Sequence, residues 1–245
     1  MAIADTLKSH GSIWKRKRVV RIIYDDFYDR INRFARPGLT IEIGGGIGNF
    51  KSRLVNVVST DVQFAPWLDC VADAHQLPFA DGTAANIVMV DVVHHIEFPS
   101  RFFREAERIM RPGGRLIMVE PAITWGSTFF YRFMHQEPVD MSADPLADGI
   151  PDPRRNPYDS NQAIPTLIAT REKERFLRLF PNFRISHVDY FSLVAYPLSG
   201  GFKPWSLIPV RLVKPVLTVE HLIEPVLGRW FAFRMLLVID KIASS

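Results

Sequence analysis

The chain has 245 residues, of which 47% are hydrophobic and 23% charged, proportions typical of folded globular domains that exclude a disordered, collagen-like or coiled-coil chain. Lys and Arg total 30 against 26 Asp and Glu, a formal charge of +4, which permits an acidic partner or surface without demanding one. The single cysteine, Cys70, excludes an internal disulfide and any multi-cysteine metal site, so no metal is expected and a reducing, cytoplasmic setting is.

Taken in chain order, the first twenty residues lack the apolar core of a signal peptide, so export is not expected. Residues 14–35 place Val19, Ile22, Ile23, Phe27, Ile31 and Phe34 at helical spacing, and Arg36-Pro37-Gly38 ends that helix. From Leu39 to Glu120, apolar runs alternate with helical segments. Strands are expected at LTIEI (39–43), VVST (57–60), CVADA (70–74), NIVMVD (86–91) and RLIMVE (115–120). A helix is expected from about Asn49 and another over SRFFREAERIM (100–110), followed by the turn Arg111-Pro112-Gly113-Gly114. Runs that are apolar throughout suit strands buried on both faces, as in a parallel sheet covered by helices. Past Glu120 the texture becomes proline-rich and aperiodic, then a helix is expected at about 165–180 and strands at 183–192 and 229–240. No apolar stretch reaches the roughly 20 residues of a membrane-spanning helix.

These elements make one domain over 1–245 of α/β class: a doubly wound, Rossmann-like, mostly parallel seven-stranded sheet with helices on both faces. It comprises an N-terminal helical segment (1–38), a ligand-binding core (39–121), and a remaining helix with the last two strands (164–192 and 229–245). Two insertions, 122–163 and 193–228, exceed ordinary loop length and are expected to form a cap over the site.

Four glycines, Gly44, Gly45, Gly46 and Gly48, follow the first strand, which carries one acid, Glu42. Glycines let a ligand sit against bare backbone where a strand hands over to a helix. A dinucleotide fingerprint needs Gly-x-Gly-x-x-Gly, whereas the spacing here is Gly-x-Gly-x-Gly with Asn49 next, which disfavours hydride chemistry. The acid and its spaced glycines resemble the first motif of the class I S-adenosylmethionine-dependent methyltransferases. Later motifs follow in the family's order: Asp61 at the end of the second strand, where the fold needs an acceptor for ribose hydroxyls, with Val62 beside it; Asp73 and Ala74, similar to the adenine-edge motif; the Leu77-Pro78-Phe79 turn; Asp91 ending the fourth strand; and Arg111–Gly114. One departure is Ala85-Asn86, where the family often has Phe-Asp, which affects strand-entry packing. The resemblance implies S-adenosylmethionine as cofactor, with Glu42 directed at its amino-acid end.

Methyl transfer from a sulfonium asks the protein to align donor and acceptor, and an oxygen or nitrogen acceptor also needs a base. His94 and His95, just beyond the fourth strand, and His135, beside Glu137 in the first insertion, are the candidates, with Tyr131 behind them. Each histidine has an alternative structural role, as a helix cap, a partner of a backbone carbonyl or a surface residue. Trp125, Phe129, Phe130, Tyr131, Phe133, Tyr196, Phe202, Trp205, Leu207 and Ile208 in the insertions are expected to line the acceptor side, implying an apolar or aromatic small molecule. Residues 203–227 mix bulky apolar residues with Arg211 and Lys214, as interfacial segments do, which adds peripheral membrane contact and a lipid-like acceptor as an extension. Pro215 and Pro225 are expected to interrupt any long amphipathic helix there. A nucleic-acid acceptor is not expected, because DVVH follows the fourth strand where base-amino methyltransferases often carry Asp/Asn-Pro-Pro-aromatic. A non-catalytic cofactor-binding scaffold or sensor is the competing reading, since the matched motifs all concern the cofactor. The oligomeric state is left open.

Overall fold

The computed structural model describes residues 3–134 and 138–242. The apolar runs pair as one seven-stranded sheet: β1 (Thr40–Ile43), β2 (Val57–Asp61), β3 (Cys70–Val71), β4 (Ala84–Val90), β5 (Met110–Pro121), β6 (Phe183–Phe191) and β7 (Arg234–Lys241). Their order is β3-β2-β1-β4-β5-β7-β6. β1 to β5 are mutually parallel, and β7 runs antiparallel to both β5 and β6. The helices are α1 (Ile3–Arg16), α2 (Arg18–Phe34), α3 (Pro99–Ile109), α4 (Trp125–Met134), α5 (Ile164–Ala169), α6 (Lys173–Leu179), α7 (Ala195–Ser199) and α8 (Val210–Phe231), with one 3-10 turn at Val93–His95.

Successive strand residues point to opposite faces, and the core divides accordingly. Ile41, Ile43, Ile87, Met89, Leu116, Met118, Leu237 and Ile239 pack with Phe102, Phe103, Ala106 and Ile109 of α3 and Phe176 of α6. Val88, Ile117, Val119, Leu236 and Val238 face the other way, onto Ile23, Phe27 and Ile31 of α2 and Val213 and Leu217 of α8. Both faces are thus closed to water, the condition that lets the strands be apolar at every position. At the entry to β4, Asn86 accepts from the Arg36 amide (2.7 Å) and donates to the Arg36 carbonyl (2.8 Å) and the Thr40 hydroxyl (2.9 Å). Asn86 is therefore a polar clasp between β4 and the linker after α2.

Several expectations need correction. No helix forms after the glycines: residues 49–56 are turns, including Arg53 N–H to Phe50 O at 2.8 Å, and Asn56 has φ +59°. Between Ile43 and Val57 the glycine turn leaves too little chain for a helical crossover, which ordinarily takes a dozen residues or more. The helix expected at 165–180 is two helices, α5 and α6, broken between Ala169 and Lys173. β3 is two residues long, and the last strand begins at Arg234, because α8 continues to Phe231. α8 also runs through Pro215 and Pro225. Both prolines lie on its exposed side, where solvent can receive the carbonyls they leave unpaired. Val213, Leu217, Glu220, Glu224 and Gly228 form the stripe that packs inward, and the backbone of β6 comes so near that a Cβ at Gly228 would strike the Tyr190 carbonyl. In the first insertion, Thr124 caps α4, accepting from the Ser127 amide (3.1 Å) while the Ser127 hydroxyl accepts from the Thr124 amide (2.8 Å).

Candidate functional site

Because β1, β2, β4 and β5 are parallel, their carboxyl ends open on the same side, and β1 and β4 are neighbours across the point where strand order reverses. A cavity of about 780 Å³ lies there. Among the residues expected at the site, Glu42, Gly44, Gly45, Gly46, Asp61, Val62, Asp73, Ala74, Asp91, His94 and His95 all line it.

The glycine turn is packed from beneath and open from above. A Cβ on Gly44 would strike Val92, and one on Gly45 would strike the Ser59 hydroxyl, so neither position can carry a side chain. Gly46 has φ +48°, and a Cβ there would meet nothing nearer than the Gly44 carbonyl oxygen at 3.9 Å, so its backbone lies bare toward the cavity. Gly48 differs from expectation: it is absent from the lining and sits against Trp67, which would be 2.7 Å from a Cβ. Its role is to admit that indole, whose Nε1 donates to the Gly46 carbonyl at 2.9 Å.

Asp61 accepts from the Gly46 amide and the Gln63 amide, each at 2.9 Å. Burial raises its pKa against the pull of those amides. Glu42 is buried and accepts from the Ser59 hydroxyl. Desolvation, opposed by that hydroxyl and reinforced by the neighbouring Asp61 charge, lifts its pKa to about 7. Asp73 is tied to His75, accepting from its amide (2.8 Å) and lying 2.7 Å from its Nδ1; the imidazole hydrogen bond holds the carboxyl below its ordinary range.

The histidines occupy a different wall. His94 is buried, and its Nδ1 lies 2.6 Å from Oε2 of Glu120 at the end of β5. The other oxygen of Glu120 accepts from the amides of Val92 (2.9 Å) and Val93 (2.8 Å). Burial alone would raise the Glu120 pKa, but the His94 ring and the two amides outweigh it and hold the group ionised. His95 lies beside His94 with ring centroids 4.2 Å apart and the ring planes tilted by 39°, its Nδ1 3.3 Å from the Asp159 carbonyl. Asp91, at φ +58°, receives the Tyr24 hydroxyl (3.2 Å) and is ion-paired with buried Arg234 of β7. The Arg234 guanidinium lies 4.2 Å above the Tyr196 ring. His135 and Glu137 lie outside the described residues.

Residues of both insertions line the cavity, including Phe130, Tyr131, Tyr158, Tyr196, Phe202 and Trp205. Trp125, Phe129 and Leu207 instead face outward, and Ile208 is buried against the α2 side of the core; the side chain of Phe133 lies outside the described ones. Within α4, helical phase separates Phe129 from Phe130, since consecutive residues project about 100° apart. The amino-terminal segment contributes as well, through Leu7 and His10 of α1. Lys17, between α1 and α2, donates from Nζ to the carbonyls of Gly201 (2.7 Å), Lys203 (2.8 Å) and Trp205 (2.7 Å), stitching the amino terminus to the loop that walls the cavity.

Glu120, Arg234 and Lys17 escaped the sequence reading. Glu120 had a signal: it lies near the carboxyl end of an apolar parallel strand, as Asp61 ends β2, and in such a sheet acids at those ends gather at the same edge. The contacts of Arg234 and Lys17 span 143 and 184 positions in the chain, a separation that carries no local pattern. Among the described residues no group of three or more His, Cys, Asp or Glu could hold a metal ion.

Residues 42–118, the stretch from the glycine turn through β5, match the family described as Methyltransferase domain. A protein of Streptomyces fradiae, an uncharacterized 37.1 kDa product of a transposon, is 41% identical over 51 residues. That match covers 21% of this chain and only 15% of the relative's length. Among solved structures, a SAM-dependent methyltransferase of Thermotoga maritima, described as a possible histamine N-methyltransferase, aligns with a TM-score of 0.58 at 14% identity, covering 96% of this chain and 99% of the other. A SAM-dependent methyltransferase of Archaeoglobus fulgidus aligns with a TM-score of 0.53 at 13% identity, over 91% of this chain and 94% of that one. At such identities the likeness is one of fold.

Proposed function

We propose that this class I S-adenosylmethionine-dependent methyltransferase delivers its methyl group to an ionisable O–H or N–H of an apolar, aromatic small molecule held beneath the aromatic wall of the cavity. The cavity residues fit the cofactor. Gly46 offers bare backbone, Asp61 presents a carboxylate already oriented by two amides, and Glu42 supplies a carboxyl that becomes charged near neutrality. In this reading Glu42 faces the cofactor's ammonium, Asp61 its ribose hydroxyls, and Asp73 with Ala74 its adenine edge. Bound there, S-adenosylmethionine supplies a methyl group already activated on a sulfonium.

The chain's own work is then to position the acceptor, exclude water and take the acceptor's proton. His94 is the proposed base. A carboxylate at Nδ1 holds the ring proton on that nitrogen and leaves Nε2 as the basic one. Glu120, kept ionised by the His94 ring and the Val92 and Val93 amides, also stabilises the imidazolium that forms once the proton arrives. The aromatic rings from the two insertions favour a flat, apolar acceptor and keep the reacting centre dry. The observation that carries the proposal is the pairing of His94, which lines the cavity, with buried Glu120 at 2.6 Å, in a cavity to which the two insertions bring Phe130, Tyr131, Tyr158, Tyr196, Phe202 and Trp205.

The test is transfer of labelled methyl from S-adenosylmethionine to a panel of apolar phenols, hydroquinones and aromatic amines. Transfer to at least one class is expected, with His94→Asn lowering kcat by about 10²–10⁴-fold, the range for a lost general base, and leaving S-adenosylhomocysteine affinity unchanged. Tight S-adenosylhomocysteine binding with no transfer to any member would favour the scaffold reading. Equal turnover by His94→Asn would remove His94 from the proton path.

A further inference from the structure

α8 is amphipathic in an unusual sense. Its inward stripe contains both of its acids: Glu220 accepts from the Val194 and Ala195 amides, and Glu224 pairs with Arg30 and accepts from the Ser192 amide. Its outward side keeps apolar residues and cations. Leu222 is 75% exposed, Val226 73% and Trp230 62%, with Val219 and Leu212 beside them. Arg211, Lys214 and Arg229 are exposed on the same helix, and at 100° per residue they fall along one edge of the Val219–Leu222–Val226 strip. No carboxylate lies within ion-pair distance of these three cations among the described residues.

α4 extends the surface. It packs so closely on the end of α8 that a Cβ on Gly126 would lie 2.8 Å from the Phe231 ring, and Trp125, 76% exposed, meets that ring edge-on at 5.7 Å. A contiguous apolar face of this kind on a folded domain marks a place of contact. The contact is not a crossing, because no described helix is long and apolar enough to span a bilayer.

We propose that the outward face of α4 and α8 docks on the surface of an anionic lipid bilayer, with Trp125, Leu222, Val226 and Trp230 entering the interface and Arg211, Lys214 and Arg229 meeting the headgroups. Charge selects this occupant. Among the described residues of this face the acids turn inward and the exposed α8 side shows cations, as interfacial helices on anionic membranes do, whereas a second copy of the same face would bring like charges together. The docked edge adjoins the cavity, since Phe130 and Tyr131 of α4 and Trp205, just before α8, belong to the cavity lining. An acceptor dissolved in the bilayer would enter there, a consequence that rests on the reading of an apolar acceptor given above.

The test is co-sedimentation of the full chain, without cofactor, with vesicles of phosphatidylcholine alone and of phosphatidylcholine with phosphatidylglycerol, alongside light scattering for oligomeric state. Binding to the phosphatidylglycerol vesicles, weakened by salt, is expected. Leu222→Glu/Val226→Glu should lower it by about tenfold or more, because the apolar contact is lost. Arg211→Glu/Lys214→Glu should lower it by about tenfold, and only on anionic vesicles. Both variants change exposed side chains and are expected to keep the wild-type affinity for S-adenosylhomocysteine, which separates failure of docking from failure of the methyltransferase reading. Absence of wild-type binding to either vesicle, undiminished binding of both variants, or a dimer that Leu222→Glu/Val226→Glu converts to monomer would overturn the proposal.

Discussion

Lowering the pH should weaken cofactor binding through one carboxyl, Glu42. Burial beside the glycine turn, helped by the neighbouring Asp61, lifts its pKa from 4.5 to about 7. Below that pH the empty site holds Glu42 protonated, and the proton must leave before the group can face an ammonium. Each unit below the pKa costs about 1.4 kcal/mol, so affinity for S-adenosylhomocysteine should fall roughly tenfold between about pH 8 and about pH 6. The same shift acts on stability with a defined sign. A folded-state pKa above the unfolded value means that the folded chain holds the extra proton, so this group's contribution is fully present below 4.5 and is lost as pH rises through about 7. The loss amounts to about 3 kcal/mol in the empty protein, and ligand should restore it. Calorimetric titration at the two pH values, with thermal melts of the empty protein, reads both effects. Glu42→Gln supplies the control: it should bind weakly at both pH values, account for ionisation of the ligand's own amine, and shrink the change in the melts. A wild-type Kd that does not move, or a Gln variant that binds like wild type at the higher pH, would refute the assignment.

Two further outcomes follow from neighbouring groups. Asp61→Ala should weaken S-adenosylhomocysteine binding by about 1–3 kcal/mol, as for loss of a charge-assisted acceptor; unchanged affinity would take Asp61 out of the site. Arg30 is buried between α2 and α8 against Asp26 (2.9 Å), Glu224 (2.7 Å) and Asp189 (3.3 Å). Its guanidinium also lies 4.3 Å above the Phe191 ring. Arg30→Met should cost about 3–5 kcal/mol in urea unfolding, because it leaves buried carboxylates without their cation; a loss near zero would show the network to be solvated.

The side of the cavity bordered by the glycine turn was legible because its pattern is local. A strand, a glycine turn and a terminal acid occupy a few consecutive residues, and the strands that carry Glu42, Asp61 and Asp91 advertise themselves as apolar runs. The aromatic side of the cavity was legible only in outline. Aromatic residues in the insertions could be counted, yet Phe129 faces solvent and Phe130 the cavity, a difference of one helical step that composition cannot show. α8 was misread for a related reason. Proline lowers local helix propensity, but the stripe from Val213 to Gly228 packs against α2 and β6 strongly enough to carry the helix through two of them. The missing helix after Gly48 reverses the case: periodicity allowed one, and the short connection to β2 did not.

By itself, then, the sequence determined the class of fold, the parallel core and the glycine turn that leaves backbone bare at the strand ends, since each depends on side-chain periodicity or on residues close together in the chain. Tertiary structure alone decided that Glu120 reaches His94, that Arg234 pairs with Asp91, that Lys17 ties the amino terminus over the cavity, and that α8 turns its acids inward and its apolar side out. Those are contacts between distant segments, set by how helices settle on the sheet, and the free energy that selects them is spread over the whole packed core.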